Sequence, residues 1–188
     1  VMIGGFLAVG SANRIIEAMV KAGKKDLTII CNDTAYPEIG SGLLVASGCV
    51  KKCIVSHIGT NPITEQKMKA GEIEVELVPQ GTLAERIRIG GAGIGGFLTT
   101  TGLGTLAEEG KRKIEVEGKE YLLELPLRAD VALTGASVAD KYGNLIYRGT
   151  SQNFNPMMAT AADLVIAEAK ESVENLAPEA IKTPYLFV

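Results

Sequence analysis

The feature that most constrains this chain of 188 residues is an alternation of short apolar runs with amphipathic segments, each closed by glycine. Apolar strands separated by helical segments cannot pair as tight hairpins. Each helix must carry the chain back across the sheet, which makes the sheet parallel and covers it with helices. The first unit shows the pattern. Val1-Met2-Ile3 is strand-like, Gly4-Gly5 turns, and the spacing of Ile15, Ile16, Met19 and Val20 predicts a helix over about 12–22, with Ser11 as its N-cap and Gly23 as its stop.

The alternation continues along the chain. Residues 27–31, 53–57 and 73–78 read as strands, while 63–70 and 82–89 follow helical spacing. Residues 90–104 hold seven glycines and no sustained periodicity, so a loop is expected there. Residues 113–116 and 120–125 flank Glu117-Gly118-Lys119 and predict a hairpin. Further strands are expected at 131–133, 145–147 and 164–167, with Pro156 as the first residue of a helix over 157–162. The fold class is α/β: an open, mostly parallel sheet covered by helices, with a β-hairpin region. No Pro/Ser-rich linker divides the chain, so residues 1–188 are expected to form one domain. It starts in a strand without an initiator Met and stops in Tyr185-Leu186-Phe187-Val188, which predicts truncation at both termini.

Composition excludes several classes of function. A formal net charge of −3 with only short, scattered basic blocks gives no electrostatic footprint for nucleic acid. Cys31, Cys49 and Cys53 are odd in number and lie in apolar runs, as expected of reduced thiols in a cytoplasmic protein. Together with the lone His57 they do not have the spacing of a zinc site, and no metal is expected. No run approaches the length needed to span a bilayer, so no membrane association is expected.

Two motifs invite a catalytic reading. Gly91-Ala92-Gly93-Ile94-Gly95-Gly96 satisfies the G-x-G-x-x-G pattern. In a dinucleotide fold, however, such glycines follow a strand and open a helix, whereas these follow a predicted helix. They are expected instead to let backbone approach a ligand or a second chain. His57 ends an apolar strand, and the chain holds no G-x-S-x-G elbow with which it could form a nucleophilic triad. It is expected to be structural.

Asn32-Asp33-Thr34 and Pro79-Gln80-Gly81-Thr82 each follow a predicted strand. Ligands of open parallel sheets bind beyond the carboxyl ends of strands, so amides there are candidates for binding. Asn32 and Gln80 could equally cap turns, and position alone does not decide between the two readings.

The same residues carry a family resemblance. Gly4-Gly5-Phe6 with Gly10, Asn32-Asp33-Thr34, the segment from Ser56 to Pro62, and the block from Pro79 to Gly93 resemble the alpha subunits of family I coenzyme A transferases. The segment from Leu123 to Asp130, Gly143-Asn144-Leu145 and Asn153-Phe154-Asn155-Pro156 extend the match to the acetoacetate group, whose members use acetate or butyrate.

The resemblance implies a fold shared with sugar-phosphate isomerases and a beta subunit of similar fold, in an expected α2β2 heterotetramer. It implies ping-pong transfer of coenzyme A, a substrate and not a resident cofactor, between an acyl-CoA and a short-chain carboxylate. The intermediate would be a glutamyl-CoA thioester on the beta subunit. This chain has no Glu-Asn-Gly motif, only Glu174-Asn175-Leu176, which places the nucleophile on the partner. Gln80 would then support catalysis, and Asn32, Asp33, Gln80, Gly91, Gly93 and Gly95 would line the substrate site. Asp33 stands where many relatives carry a second Asn, and in this it matches the acetoacetate-type subunits. Alternative readings are a sugar-phosphate isomerase or phosphate-binding protein of the same fold, or a non-catalytic scaffold.

Overall fold

The computed structural model describes residues 1–188. The elements run β1 (Met2–Ile3), α1 (Asn13–Lys21), β2 (Leu27–Ile30), α2 (Ser41–Ala46), β3 (Val50–Val55), α3 (Pro62–Lys69), β4 (Glu74–Leu77) and α4 (Gln80–Gly91). They continue with β5 (Phe97–Thr99), β6 (Lys113–Val116), β7 (Lys119–Glu124), β8 (Ala129–Asp140), β9 (Leu145–Ile146), α5 (Asn155–Thr160) and β10 (Ala162–Val173).

Six strands form a parallel sheet in the order β10-β8-β1-β2-β3-β4, and β9 joins β8 antiparallel. The strand order reverses at β1, which lies between β8 and β2. Ligand crevices of parallel sheets open where the order reverses.

The sheet is covered on both faces. Consecutive residues of one strand point to opposite sides, so Ile3, Ile29, Cys53 and Val55 join Ile16 of α1 and Leu44 of α2 on one face. Met2, Ile30 and Ile54 meet Leu83 and Ile87 of α4 and Met158 of α5 on the other. Strand segments buried on both faces read as apolar runs, which is how Ile29–Ile30 of β2 and Cys53–Val55 of β3 read in the sequence. Each fully buried Leu or Ile contributes about 1.5–3 kcal/mol, so α4 is held chiefly through Leu83 and Ile87.

The hairpin forms as expected. β6 and β7 pair antiparallel across Glu117 and Gly118, both at positive φ (52° and 73°). β7 also pairs with β5, giving a separate three-stranded sheet.

Four expectations need correction. Ser11 does not cap α1: its hydroxyl donates to the Gly4 carbonyl at 2.8 Å. The Glu168 carboxylate of β10 accepts from the N–H groups of Arg14 and Ile15 at 2.8 and 3.1 Å instead, a tertiary cap that local sequence does not encode. Residues 90–104 are not all loop, because α4 runs through Gly91 and β5 forms within them. β8 and β10 are each twelve residues long, well beyond their short apolar centres, because they pair with each other along their length. A further helix, α2, stands where none is expected, because its six residues are too few to give a periodic signal.

Candidate active site

The carboxyl ends of β2, β3 and β4 bring three polar side chains together. Asn32 follows β2, Ser56 follows β3, and Gln80 opens α4 two residues beyond Val78. Gln80 Nε2 donates to Asn32 Oδ1 at 2.8 Å. Ser56 Oγ donates to the Asn32 carbonyl at 2.7 Å and lies 3.2 Å from Asn32 Oδ1. Asn32 is buried, at 2% exposure, while Gln80 is exposed. The cluster therefore has a fixed floor and one reachable amide.

Asp33 lies beneath this floor at 4% exposure. Its Oδ1 accepts from Ala35 N at 2.7 Å, and its Oδ2 accepts from Leu7 N at 3.1 Å and from Asn32 Nδ2 at 2.6 Å. Leu7 belongs to the loop after β1 and Ala35 to the loop after β2, so one carboxylate joins two strand-end loops to the Asn32 amide. Leu7, Ala8 and Ala35 hold positive φ values of 48°, 67° and 44°, conformations that L-residues keep only when their surroundings impose them.

The two loops repeat one design. Phe6 and Val9 form a bridge followed by Gly10-Ser11, and Tyr36 and Ile39 form a bridge followed by Gly40-Ser41. All four bridging side chains are exposed. The spacing aromatic-x-x-aliphatic-Gly-Ser, repeated thirty residues apart, is the sequence signal for these loops. Sequence reasoning missed both that signal and Ser56.

The other motif residues are scaffold. Asn153 Oδ1 accepts from Gly5 N at 3.0 Å and its Nδ2 donates to the Val9 carbonyl at 2.8 Å, bracketing the first loop. Asn155, fully buried, accepts from Gly135 N at 3.0 Å and donates to the Gly10 carbonyl at 2.9 Å. A Cβ on Gly4 would stand 1.8 Å from Asn155 Oδ1, so glycine is required there by close approach. Asn61 caps α3 through Ile63 N and Thr64 N and donates to the Thr34 carbonyl at 2.8 Å. His57 takes part through its main chain, which bridges to Asp33, while its ring is exposed.

Gly91, Gly93 and Gly95 are not brought to this cluster. Gly91 ends the helix that Gln80 begins, about 16 Å away along the axis. A Cβ on Gly91 would stand 2.0 Å from Thr160 Oγ1, so its bare backbone serves the contact between α4 and α5. Gly93, at φ 70°, turns the chain out of the helix, and Gly95 lies in open surroundings before β5. These glycines close a helix, the reverse of the dinucleotide arrangement.

The start of α4 adds a partial positive charge to the cluster. α4 starts without a side-chain cap, which leaves the N–H groups of its first turn and the positive end of its dipole beside Gln80. Gly81 is exposed, and a Cβ there would meet nothing. The carboxylate nearest the cluster, Asp33, is already occupied by three donors.

The sequence pattern of the coenzyme A transferase family matches residues 1–188. This chain belongs to the coenzyme A transferase family. It is 53% identical to the acetate CoA-transferase subunit alpha of Escherichia coli K12, over 98% of this chain and 84% of that one. It is 55% identical to the acetoacetyl-CoA:acetate/butyrate CoA transferase alpha subunit of Clostridium acetobutylicum, over 100% and 87%. In fold, this coenzyme A transferase chain resembles an acyl-CoA transferase of E. coli O157:H7 solved as a thioester complex with CoA. The TM-score is 0.88 at 20% identity, covering 100% of this chain and 42% of that one. The glutaconate coenzyme A-transferase of Acidaminococcus fermentans superposes with TM-score 0.85 at 16% identity, over 99% and 68%. No helix of this family member is long and apolar enough to cross a membrane.

Proposed function

We propose that this chain is the alpha subunit of an enzyme that moves coenzyme A between acetyl-CoA or butyryl-CoA and acetoacetate, working with a beta subunit in an α2β2 heterotetramer. One observation carries the reading: the Asn32–Gln80 amide pair at the strand ends offers hydrogen bonds to a reacting acyl group, and the carboxylate beneath it is already fully engaged. The family resemblance, with no Glu-Asn-Gly motif in this chain, puts the nucleophilic carboxylate on the beta subunit.

In this reading a glutamate of the beta subunit attacks the thioester carbonyl. The C–S bond breaks, the CoA thiolate leaves and an acyl-glutamyl anhydride forms. The thiolate then attacks the glutamyl carbonyl, which releases the first carboxylate and leaves a glutamyl-CoA thioester. Acetoacetate reverses both steps and departs as its CoA ester. Negative charge develops on a carbonyl oxygen at each addition, where prearranged N–H donors stabilise it. Gln80 supplies one such donor, Asn32 holds it, and the uncapped start of α4 adds its dipole. A sugar-phosphate site would need basic ligands at these ends, and Asn32, Ser56 and Gln80 are neutral.

Reconstitution tests the proposal. The purified chain alone should be inactive, and adding a beta subunit should give double-displacement kinetics. Hydroxylamine or borohydride should trap the modified glutamate on the beta chain. Turnover by the isolated chain would refute this division of labour.

A further inference from the structure

We propose that Asp33 is a positioning residue that touches no substrate and sets the polarity of the amide pair above it. The inference deepens the proposed function, since it concerns how the same amides are held.

An ionised carboxylate can only accept hydrogen bonds. Two donors facing Asp33 are backbone N–H groups, those of Leu7 and Ala35, and these cannot change character. The third partner, Asn32, must therefore turn its NH2 toward Asp33 at 2.6 Å, which leaves Asn32 Oδ1 facing Gln80 and Ser56. Gln80 must then offer Nε2 to Asn32, so its second N–H and its Oε1 are directed outward in a set order. The opposite polarity would place Oε1 against Asn32 and exchange donor and acceptor at the exposed end of Gln80. One buried carboxylate thus decides which atom of a reachable amide meets the reacting carbonyl.

An Asn at position 33 has almost the same shape but only one accepting end. Its own NH2 would have to face Leu7 N, Ala35 N or the Asn32 amide, and each choice opposes two donors or turns Asn32 over. In this chain, where the N–H groups of Leu7 and Ala35 and the Asn32 amide all converge on position 33, the two amides would then lose their defined orientation.

The test is a cycle of Asp33→Asn, Gln80→Ala and the double variant in the enzyme reconstituted with its beta subunit. Asp33→Asn should lower kcat by on the order of 10- to 100-fold, the scale of a misplaced catalytic contact, with little change in KM. In the Gln80→Ala background the same substitution should cost less than about twofold, because its effect passes through Gln80. Equal losses in both backgrounds, or no loss in either, would overturn the proposal.

Should Asp33→Asn fail to assemble, neutron diffraction from the unsubstituted, deuterium-exchanged enzyme decides the point. Deuterons are expected on Asn32 Nδ2 toward Asp33 and on Gln80 Nε2 toward Asn32, and the reverse placement would refute the relay. An unsubstituted complex that transfers no coenzyme A would refute the proposed function instead, while the neutron map would still report the polarity.

Discussion

Gln80 and Asn32 are forty-eight residues apart in the chain, yet the Gln80 amide rests on the Asn32 side-chain oxygen at 2.8 Å. The contact exists because β2 and β4 flank β3 in a parallel sheet, so their carboxyl ends lie on one side of the molecule. Only the outer partner is exposed, which makes Gln80 the member able to meet a substrate.

Removing that member should affect turnover more than binding. Gln80→Ala is expected to lower kcat of the reconstituted enzyme by about 10²-fold, roughly 3 kcal/mol, as for loss of a single oxyanion donor. Steady-state kinetics decides the matter, and an unchanged kcat would leave Gln80 a structural role.

Asn155 should matter for stability. Asn155→Ala would strip partners from Gly135 N and the Gly10 and Ser151 carbonyls, all held by one fully buried side chain. Unpaired buried polar groups make a loss of about 2–3 kcal/mol the expected outcome, or a fall in Tm of roughly 5–10 °C. Scanning calorimetry that shows no shift would contradict this account of the first loop.

Acid should weaken the packing of β4 on α4. Burial pushes the Glu76 carboxyl up, but Arg86 at 3.0 Å and Lys52 at 3.4 Å outweigh it and hold its pKa below the usual carboxylate range. A depressed folded-state pKa means stability that is present above the unfolded value, about 4.3, and lost as pH falls below it. Between about pH 6 and pH 3 the Tm of the unsubstituted protein should therefore fall more steeply than that of Glu76→Gln. Parallel slopes would remove Glu76 from the explanation.

The thiols should be inert while the protein is folded. Cys31, Cys49 and Cys53 are all buried and unpaired, and burial pushes the Cys53 thiol up to about 12. Burial, with Cys53 and Asp33 nearby, also raises Cys31. Ellman's reagent at about pH 8 should label none of them in the native protein and all of them after denaturation. Prompt labelling of the native protein would contradict the described core.

Much of the architecture is legible in the residues themselves. Apolar runs locate the carboxyl-terminal halves of β2 and β3, which are buried on both faces, while β4, an edge strand, is read from the alternation of Glu74, Val75, Glu76 and Leu77. Gly118 announces the hairpin because glycine takes a positive φ at no steric cost, while the positive φ of Glu117 is imposed by the pairing of β6 with β7. The resemblance points to Asn32, Asp33 and Gln80, and the folded chain brings these three together.

What the sequence alone determined was the set of local choices: which segments are apolar, where glycine permits a turn, and which amides follow strands. Those depend on neighbours a few residues apart. Only the tertiary structure decided that Asp33 joins two loops through Leu7 N and Ala35 N, that Gly91 packs against Thr160, and that Glu168 caps a helix at Arg14, 154 residues away. Each of these depends on which strands become neighbours, and strand order is settled by burial of the whole sheet and not by any one segment.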